Sequence, residues 1–533
     1  MNKKLLYTLV FSGLTFFNAC TSDLDQYPEL EITSKDVYTS AEKYNMVLAK
    51  LYSRFTMKGQ EKGGGDADIT DNSPKDDGYM RDFCNLQELG TDEMISQWAE
   101  GDNMGGIMYL QWDANDQWVN DFYYQLMYSI TLANEFILNC NTASLSSEEM
   151  SKIENYKTEA RFIRALCYSH ALDFFNTIPF TDENTGIGAS TPPSYSRKQM
   201  FEYIESELKD IAEKLSETPE YGRAGKYAAY ALLSRMYLNA EVYTGEKKYN
   251  ECIEVSNKIL NSGKYSLESD YSNLFKADNY KCTNEIIFPL IVDSENSQSW
   301  GVTSLLVCGA VTSDAAKTYI GSTVGWGNFR PRKEIPALFG LSAADNNTDN
   351  GLNKEDKRCM FWCKDLSFDI LKPTDPAQGF QSVKWKNSNQ DGKQSCDANA
   401  NGVDTDFPMF RLGEIYLNIA EAKLRGGSGE GPSAADCINE LRKRAYDKAY
   451  DASGKVEAGS VTLDFILDER AREMYLECVR RTDLIRFGKF TGGENFSWRG
   501  KVMNGISVDK KYNCYPIPAY ELSANPNLKN EGY

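Results

Sequence analysis

Histidine is almost missing from this sequence: one residue, His170, in 533. That removes the usual base of serine and cysteine hydrolases, and no Gly-x-Ser-x-Gly elbow stands in its place. His170 lies in a helical run (161–175), where a packed side chain is the expectation. Phosphate-cradling Gly-x-x-x-x-Gly-Lys-[Ser/Thr] loops and dinucleotide fingerprints are absent as well. Positive charge is in deficit, with 58 Lys and Arg against 77 Asp and Glu and a net charge of -19. Such a chain is repelled by nucleic acid and by anionic lipid surfaces, while neutral ligands are unaffected. The 13 cysteines follow no repeated spacing, so no disulfide framework is legible. Cys359 and Cys363 form a lone C-x-x-x-C with no histidine or second pair beside it, which favours buried thiols over zinc.

What is present is the composition of a folded chain. Hydrophobic residues at 41% and charged residues at 25% are those of a soluble globular protein. Length alone suggests three or four domains, but the helical pattern is continuous enough to predict one mature unit from about residue 21. The first 19 residues stand apart. Lys3 and Lys4 precede a short apolar stretch (5–17) that cannot span a bilayer, and Phe17-Asn18-Ala19-Cys20 follows. Ordinary signal cleavage would need a small residue where Phe17 stands. The stretch therefore reads as a signal peptide (1–19) cut before Cys20, whose thiol is acylated, although Asn18 departs from the usual box. More than one acyl chain gives stable anchoring.

Apolar residues recur at three- and four-residue spacings over 36–58, 116–262 and 410–490, as in Ala160, Ile163, Ala165, Tyr168 and in Ala229, Leu232, Leu233, Tyr237. Helices are predicted over 117–140, 147–175, 197–215, 225–243 and 249–260. The fold class is mainly α, a tetratricopeptide-like helical-repeat scaffold, although no strict 34-residue repeat is visible. Two regions break the pattern, 59–115 and 276–403. Both are rich in Gly, Asn, Asp and Ser, and together they predict a large loop-rich ligand lobe. The first carries a glycine triplet (63–65) and then Trp98, Trp112 and Trp118; the second carries Trp300, Trp326, Trp362 and Trp385. A proline-rich coil, 515–533, closes the chain.

The stretch 462–489 predicts a single amphipathic helix, with Thr462 as N-cap and Gly488 as C-terminal stop. Periodicity makes its charged face solvated. The order of its residues says more: Glu469-Arg470-x-Arg472-Glu473, Glu477, Arg480 and Asp483-Leu484-Ile485-Arg486-Phe487-Gly488. Three further blocks accompany it. They are Phe410-Arg411-Leu412-x-Glu414-x-Tyr416-Leu417 with Ala420-Glu421-Ala422, then Ile438-Asn439-x-Leu441-Arg442-x-Arg444-Ala445, and the closing Tyr515-Pro516-Ile517-Pro518 to Asn530-Glu531-Gly532-Tyr533. In content and order these four blocks resemble the SusD/RagB family of outer-membrane nutrient-uptake lipoproteins. The resemblance implies a non-enzymatic, surface-facing lipoprotein that captures oligosaccharides and delivers them to a TonB-dependent outer-membrane porin. It implies no nucleic-acid partner and no membrane contact beyond the lipid anchor.

The ligand site implied by the family lies where loops from the two non-helical regions meet. Here the resemblance extends to the family's starch-binding founder, through Arg81, the following Thr91-Asp92-Glu93, Trp98, Trp300-Gly301 and Gly325-Trp326. One platform is missing, since Ser96 stands where the founder has a tryptophan. The physical reading agrees in kind: pyranose C–H faces pack on indole rings while guanidinium and amide groups take hydroxyls. Arg81, Trp98, Trp300 and Trp326 are the candidate ligand-binding residues, with an α-glucan as first guess. Loop packing is the alternative for each tryptophan; other glycans, peptides or a surface glycosidase are the alternatives for the whole. No cofactor is required. A structural calcium ion on Asp278, Asp404 and Asp406 is the one metal the sequence suggests, against capping or solvated carboxylates.

Overall fold

The computed structural model describes residues 34–60, 67–69, 78–185, 191–312 and 314–533. The expected signal peptide, Cys20 and the glycine triplet lie outside the described residues. After α1 (Ala41–Ser53) and α2 (Tyr79–Glu88) comes a two-residue strand, β1 (Ile95–Ser96). The long helices follow: α3 (Gln117–Thr142), α4 (Ser147–Phe174), α5 (Arg197–Ala212), α6 (Lys226–Leu238) and α7 (Tyr249–Leu260). Polar caps start several of them. Asp116 accepts the first free N–H groups of α3, and Ser146 and Ser196 form reciprocal capping boxes with Glu149 and Gln199.

Each helix packs on its sequence neighbour from α3 through α7, so the chain builds a stack of helix hairpins. The stack does not stop at α7. It resumes with β4 (Phe407–Arg411), α9 (Leu412–Leu424) and α10 (Ala434–Tyr446), because α9 packs directly against α7. Everything between is an insertion, holding β2 (Ile286–Leu290), α8 (Val302–Cys308) and β3 (Phe329–Arg330). Its two ends are zipped by antiparallel pairing of β2 with β4, Ile286 opposite Arg411 and Leu290 opposite Phe407. Pro289 faces Pro408 there, and the register shifts beside them because neither can donate to the ladder. The architecture is the predicted helical scaffold carrying a loop-rich lobe.

The stretch 462–489 corrects two expectations. It is not one helix: α11 (Leu463–Met474) stops, Leu476 and Cys478 adopt left-handed φ of 57° and 59°, and α12 (Arg480–Arg486) restarts. The Leu476 N–H leaves the helical pattern and donates to Glu93 Oε2 at 2.7 Å. Nor is the charged face solvated, since Glu469, Arg470, Glu473, Glu477, Arg480 and Asp483 are all buried. Arg411 of β4 reaches Glu477 at 2.6 Å, Glu473 at 2.7 Å and Glu285 at 3.1 Å. Arg358 bridges Glu469 at 2.9 Å and Glu473 at 3.2 Å, and Arg486 joins Glu421 to Asp483. Burial by itself would raise the Glu473 carboxyl, but Arg444, Arg411 and Arg358 outweigh it and hold it well below the usual carboxylate range. Helical periodicity shows which face is polar; it cannot show that counter-charges from Arg358, Arg411 and Arg444 will cover its glutamates. The charged motif of this stretch is thus the inner electrostatic frame of the fold.

His170 is packed as expected, stacked on Phe83 with its Nδ1 2.6 Å from the Tyr79 hydroxyl. Burial pushes its imidazole down to about 3.

Candidate functional site

Two segments far apart in sequence meet in a minimal antiparallel ladder. Ile95 pairs with Arg330 and Ser96 with Phe329, joining β1 to β3. The ladder extends by one bond, from Gln97 N–H to the Asn328 carbonyl at 2.8 Å. Trp98 therefore leaves β1 beside the turn that carries Trp326. Ser96 reinforces the join, donating to Asn328 Oδ1 at 2.7 Å and accepting from Trp98 N–H at 3.0 Å.

The turn carrying Trp326 is pinned from its other side. Trp326 N–H donates to Cys308 O at 2.7 Å and Gly327 N–H to Val311 O at 3.0 Å. This close approach depends on glycine: a Cβ on Gly325 would fall 2.4 Å from Val311 O, and one on Gly327, at φ +58°, 2.2 Å from Thr312. The strand it crosses is the exit of α8, whose entrance carries Trp300. Trp300 and Trp326 consequently stand with ring centroids 6.3 Å apart at 60°. Directly after Trp300-Gly301, Val302 adopts φ +46°, a left-handed conformation costly for a β-branched residue. Strain of this kind persists where the surroundings over-determine it, and it collects at ligand sites. Trp98, Trp300 and Trp326 are all half-buried.

Beneath the ladder Arg332 acts as a clamp. Its guanidinium donates to Leu89 O and Met108 O at 3.0 Å, to Met94 O at 3.3 Å and to Ser497 O. Burial lowers its pKa to about 10. These bonds fix the segment running into β1 against the far end of the chain.

Three expectations concern residues other than the paired indoles. Arg81 lies on α2 and is only 6% exposed, with α3, α8 and α12 packed around that helix. Trp112 and Trp118, read as part of a ligand-facing region, are packing residues at 2% and 5% exposure. Their indole N–H groups are spent internally, on Tyr533 Oη at 2.7 Å and Asp102 O at 3.0 Å. The third concerns metal. Asp278, Asp404 and Asp406 do wall one cavity of about 860 Å³. Their oxygens, however, accept from protein donors: Asp278 from Lys281 and Gln390 N–H, Asp404 from Ser294 N–H and Ser395, Asp406 from Val292 N–H and Tyr221. Among the described residues no group of three metal-capable side chains is placed to hold an ion. The carboxylates are the hard donors calcium takes, but their present arrangement does not fit one.

Sequence reasoning also missed residues. Ser96, Gln97 and Asn328 join the two tryptophan segments, yet Ser96 and Asn328 are 232 residues apart and no local pattern marks such a pairing. The insertion's glycines at 325 and 327 were the available signal, since an isolated glycine beside an aromatic often marks close backbone approach.

Comparison with known proteins bears on the whole chain. The SusD family model matches residues 369–533, and a model described as "Starch-binding associating with outer membrane" matches residues 80–238. The starch-binding protein SusD of Bacteroides thetaiotaomicron is 33% identical over 99% of this chain and 98% of its own. The chain belongs to the SusD family. A SusD-like protein of Formosa agariphila is 23% identical over 83% of this chain and 84% of its own. Among solved structures, surface glycan-binding protein A of Bacteroides thetaiotaomicron in complex with laminarihexaose superposes with a TM-score of 0.69 at 18% identity. It covers 93% of this chain and all of the other. That likeness carries the fold.

Proposed function

We propose that this SusD-family chain is a non-catalytic glycan-capturing lipoprotein of the outer membrane, which hands oligosaccharides to a TonB-dependent porin. The observation that carries the reading is the convergence of Trp300 and Trp326, 6.3 Å apart, with Trp98 delivered alongside by the β1–β3 ladder. Inclined, part-exposed indoles offer flat apolar faces in succession, which suits a chain of pyranose rings. A relative 33% identical over nearly the whole chain is a starch-binding protein, so an α-glucan is the first ligand to test. Nothing at this surface requires chemistry. The single histidine is buried and far below neutrality in pKa, and capture needs neither an activated nucleophile nor a metal. The lipid anchor at Cys20 and the porin partner rest on the sequence signature and family membership.

A glycan array probed with soluble protein beginning after Cys20 tests the reading, together with a reducing-sugar assay on any glycan that binds. Binding without release of reducing ends supports it. Release of reducing ends, or binding to peptides and to no glycan, overturns it.

A further inference from the structure

A cleft of about 350 Å³ opens beside α1, and none of the tryptophans lines it. That volume lies within the range of small-molecule sites, about 300–1,000 Å³. One wall is α1 and its exit, with Leu48, Tyr52 and Thr56; another is the end of β2, with Leu290 and then Ile291. The loop before α6 supplies the third. Gly222 there adopts φ +83°, and a Cβ on it would lie 2.2 Å from Ile291 Cδ1, so glycine lets two walls meet closely. Tyr221 donates its hydroxyl to Asp406 at 2.5 Å, which fixes a ring that lines the cleft while the residue stays 37% exposed. Ile291 is 44% exposed, although it directly follows a strand buried throughout. An aromatic and a branched side chain held out at a concave surface form an apolar seat.

The polar groups decide what the seat suits. Among the described residues the cleft has two charged side chains, and both are engaged within the protein. Arg223 donates to Glu159 at 2.7 and 2.9 Å and to Asn45 Oδ1 at 3.0 Å. Asp293 accepts from Glu295 N–H at 2.7 Å and from Asn296 at 2.9 and 3.0 Å. A charged ligand therefore finds no free counter-charge. Two uncharged groups do remain. A guanidinium only donates, so Arg223 holds the oxygen of the Asn45 amide and leaves its NH2 group without an acceptor among the described residues. Thr56 is 6% exposed, and its hydroxyl likewise has no partner among them. A buried hydroxyl without a hydrogen bond is unfavourable, and a ligand that supplies the partner removes that cost.

We infer that this cleft is a second carbohydrate site, taking one neutral sugar unit with its C–H face on Tyr221 and Ile291 and its hydroxyls on Asn45 and Thr56. A free monosaccharide and the end of an oligosaccharide share that chemistry. The inference goes beyond the tryptophan surface and does not rest on it, since the two share no residue.

The test is a saturation-transfer NMR titration of the full chain in a detergent without a sugar headgroup, using glucose, galactose, mannose and maltohexaose. The chain carries Trp300→Ala/Trp326→Ala, so that the tryptophan pair does not mask the cleft. At least one of these sugars is expected to bind. Adding Asn45→Leu or Thr56→Val, each close to the original in size, should weaken that binding about two- to tenfold, as expected for one hydrogen bond. Ile291→Asp alters an exposed position, so it should abolish binding while the thermal midpoint stays unchanged; it decides the matter if the other two lower the midpoint. Monosaccharide binding assigns the site to free sugars and binding of maltohexaose alone assigns it to chain ends; either supports the inference. Binding of none of the four sugars, or binding that Ile291→Asp leaves intact, overturns it. Binding of spermidine, lost in the same variants, would assign the cleft to cations and overturn it too. Failure of the tryptophan reading shows separately, as maltohexaose bound equally by wild type and by the Trp300→Ala/Trp326→Ala chain.

Discussion

Ser96 donates to Asn328 Oδ1 at 2.7 Å while accepting from Trp98 N–H at 3.0 Å, so one buried hydroxyl ties together the two segments that carry Trp98 and Trp326. It is a positioning residue, acting through the two segments it joins. Ser96→Ala and Asn328→Ala each remove a buried hydrogen bond worth about 0.5–1.5 kcal/mol. If looser spacing weakens the platforms, oligosaccharide affinity should fall roughly three- to tenfold by calorimetry. Ser96→Thr, which keeps the hydroxyl, should restore most of it. Equal affinity in the Ala and Thr variants would reduce Ser96 to a packing residue.

The tryptophans separate by the same logic. Trp300→Ala and Trp326→Ala should each weaken oligosaccharide binding two- to tenfold, since a stacked ring is worth about 0.5–1.5 kcal/mol beyond its area. Their thermal midpoints should barely move, because both rings are only half-buried. Trp112→Ala should do the reverse: it leaves binding residues untouched but empties a fully enclosed site, at a cost of about 3–5 kcal/mol in stability. A calorimetric titration and a melting curve on each variant decide the matter.

The contrast shows what local sequence can encode. Helices such as α7, predicted and found at 249–260, are written in nearest-neighbour spacing. The cap at Thr462 is legible for the same reason, as it satisfies an N–H group three residues away. The β1–β3 ladder is not, because its partners have no sequence relation until the insertion folds back. Arg81 illustrates the other limit. Its place in an order of motifs is visible, but its burial depends on α8 and α12 arriving from hundreds of residues away.

The inner ionic frame should be intolerant of single changes. Arg411 is shared by three buried carboxylates, Glu473, Glu477 and Glu285. Arg411→Met leaves carboxylates facing one another without this shared counter-ion, a loss of about 3–5 kcal/mol when one partner of a buried pair is removed. Pairing it with Glu477→Gln should recover part of that, and the recovery measures the coupling. Chemical denaturation of the four members of the cycle gives the numbers, and strict additivity would show that the frame is not a network.

Glu88 supplies the sharpest pH signature. It ends α2, fully buried beside Glu93, and burial pushes its carboxyl up to about 8; Glu93 is raised well above the ordinary value for the same reason, with Glu88 adding to it. In the folded state Glu88 thus keeps its proton at pH values where the unfolded chain, titrating near 4.5, has released it. The folded state binds more protons, so stability falls as pH rises between about 4.5 and 8, by up to about 1.4 kcal/mol per pH unit for such a group. Other groups slope the opposite way. His170, depressed to about 3, loses stability for the fold as pH drops below about 6.5, and Glu473, held low, does so at more acidic pH still. The wild-type profile is the sum of these and should peak in mildly acidic solution. The variant Glu88→Gln isolates one component, since glutamine is neutral at every pH. It should be close to wild type in denaturation midpoint near pH 5 and relatively more stable near pH 7.5, the gap opening with pH. A gap that stays constant across that range would mean that Glu88 is ionised in the fold, with the neighbouring Arg480 paired to it as well as to Asp92.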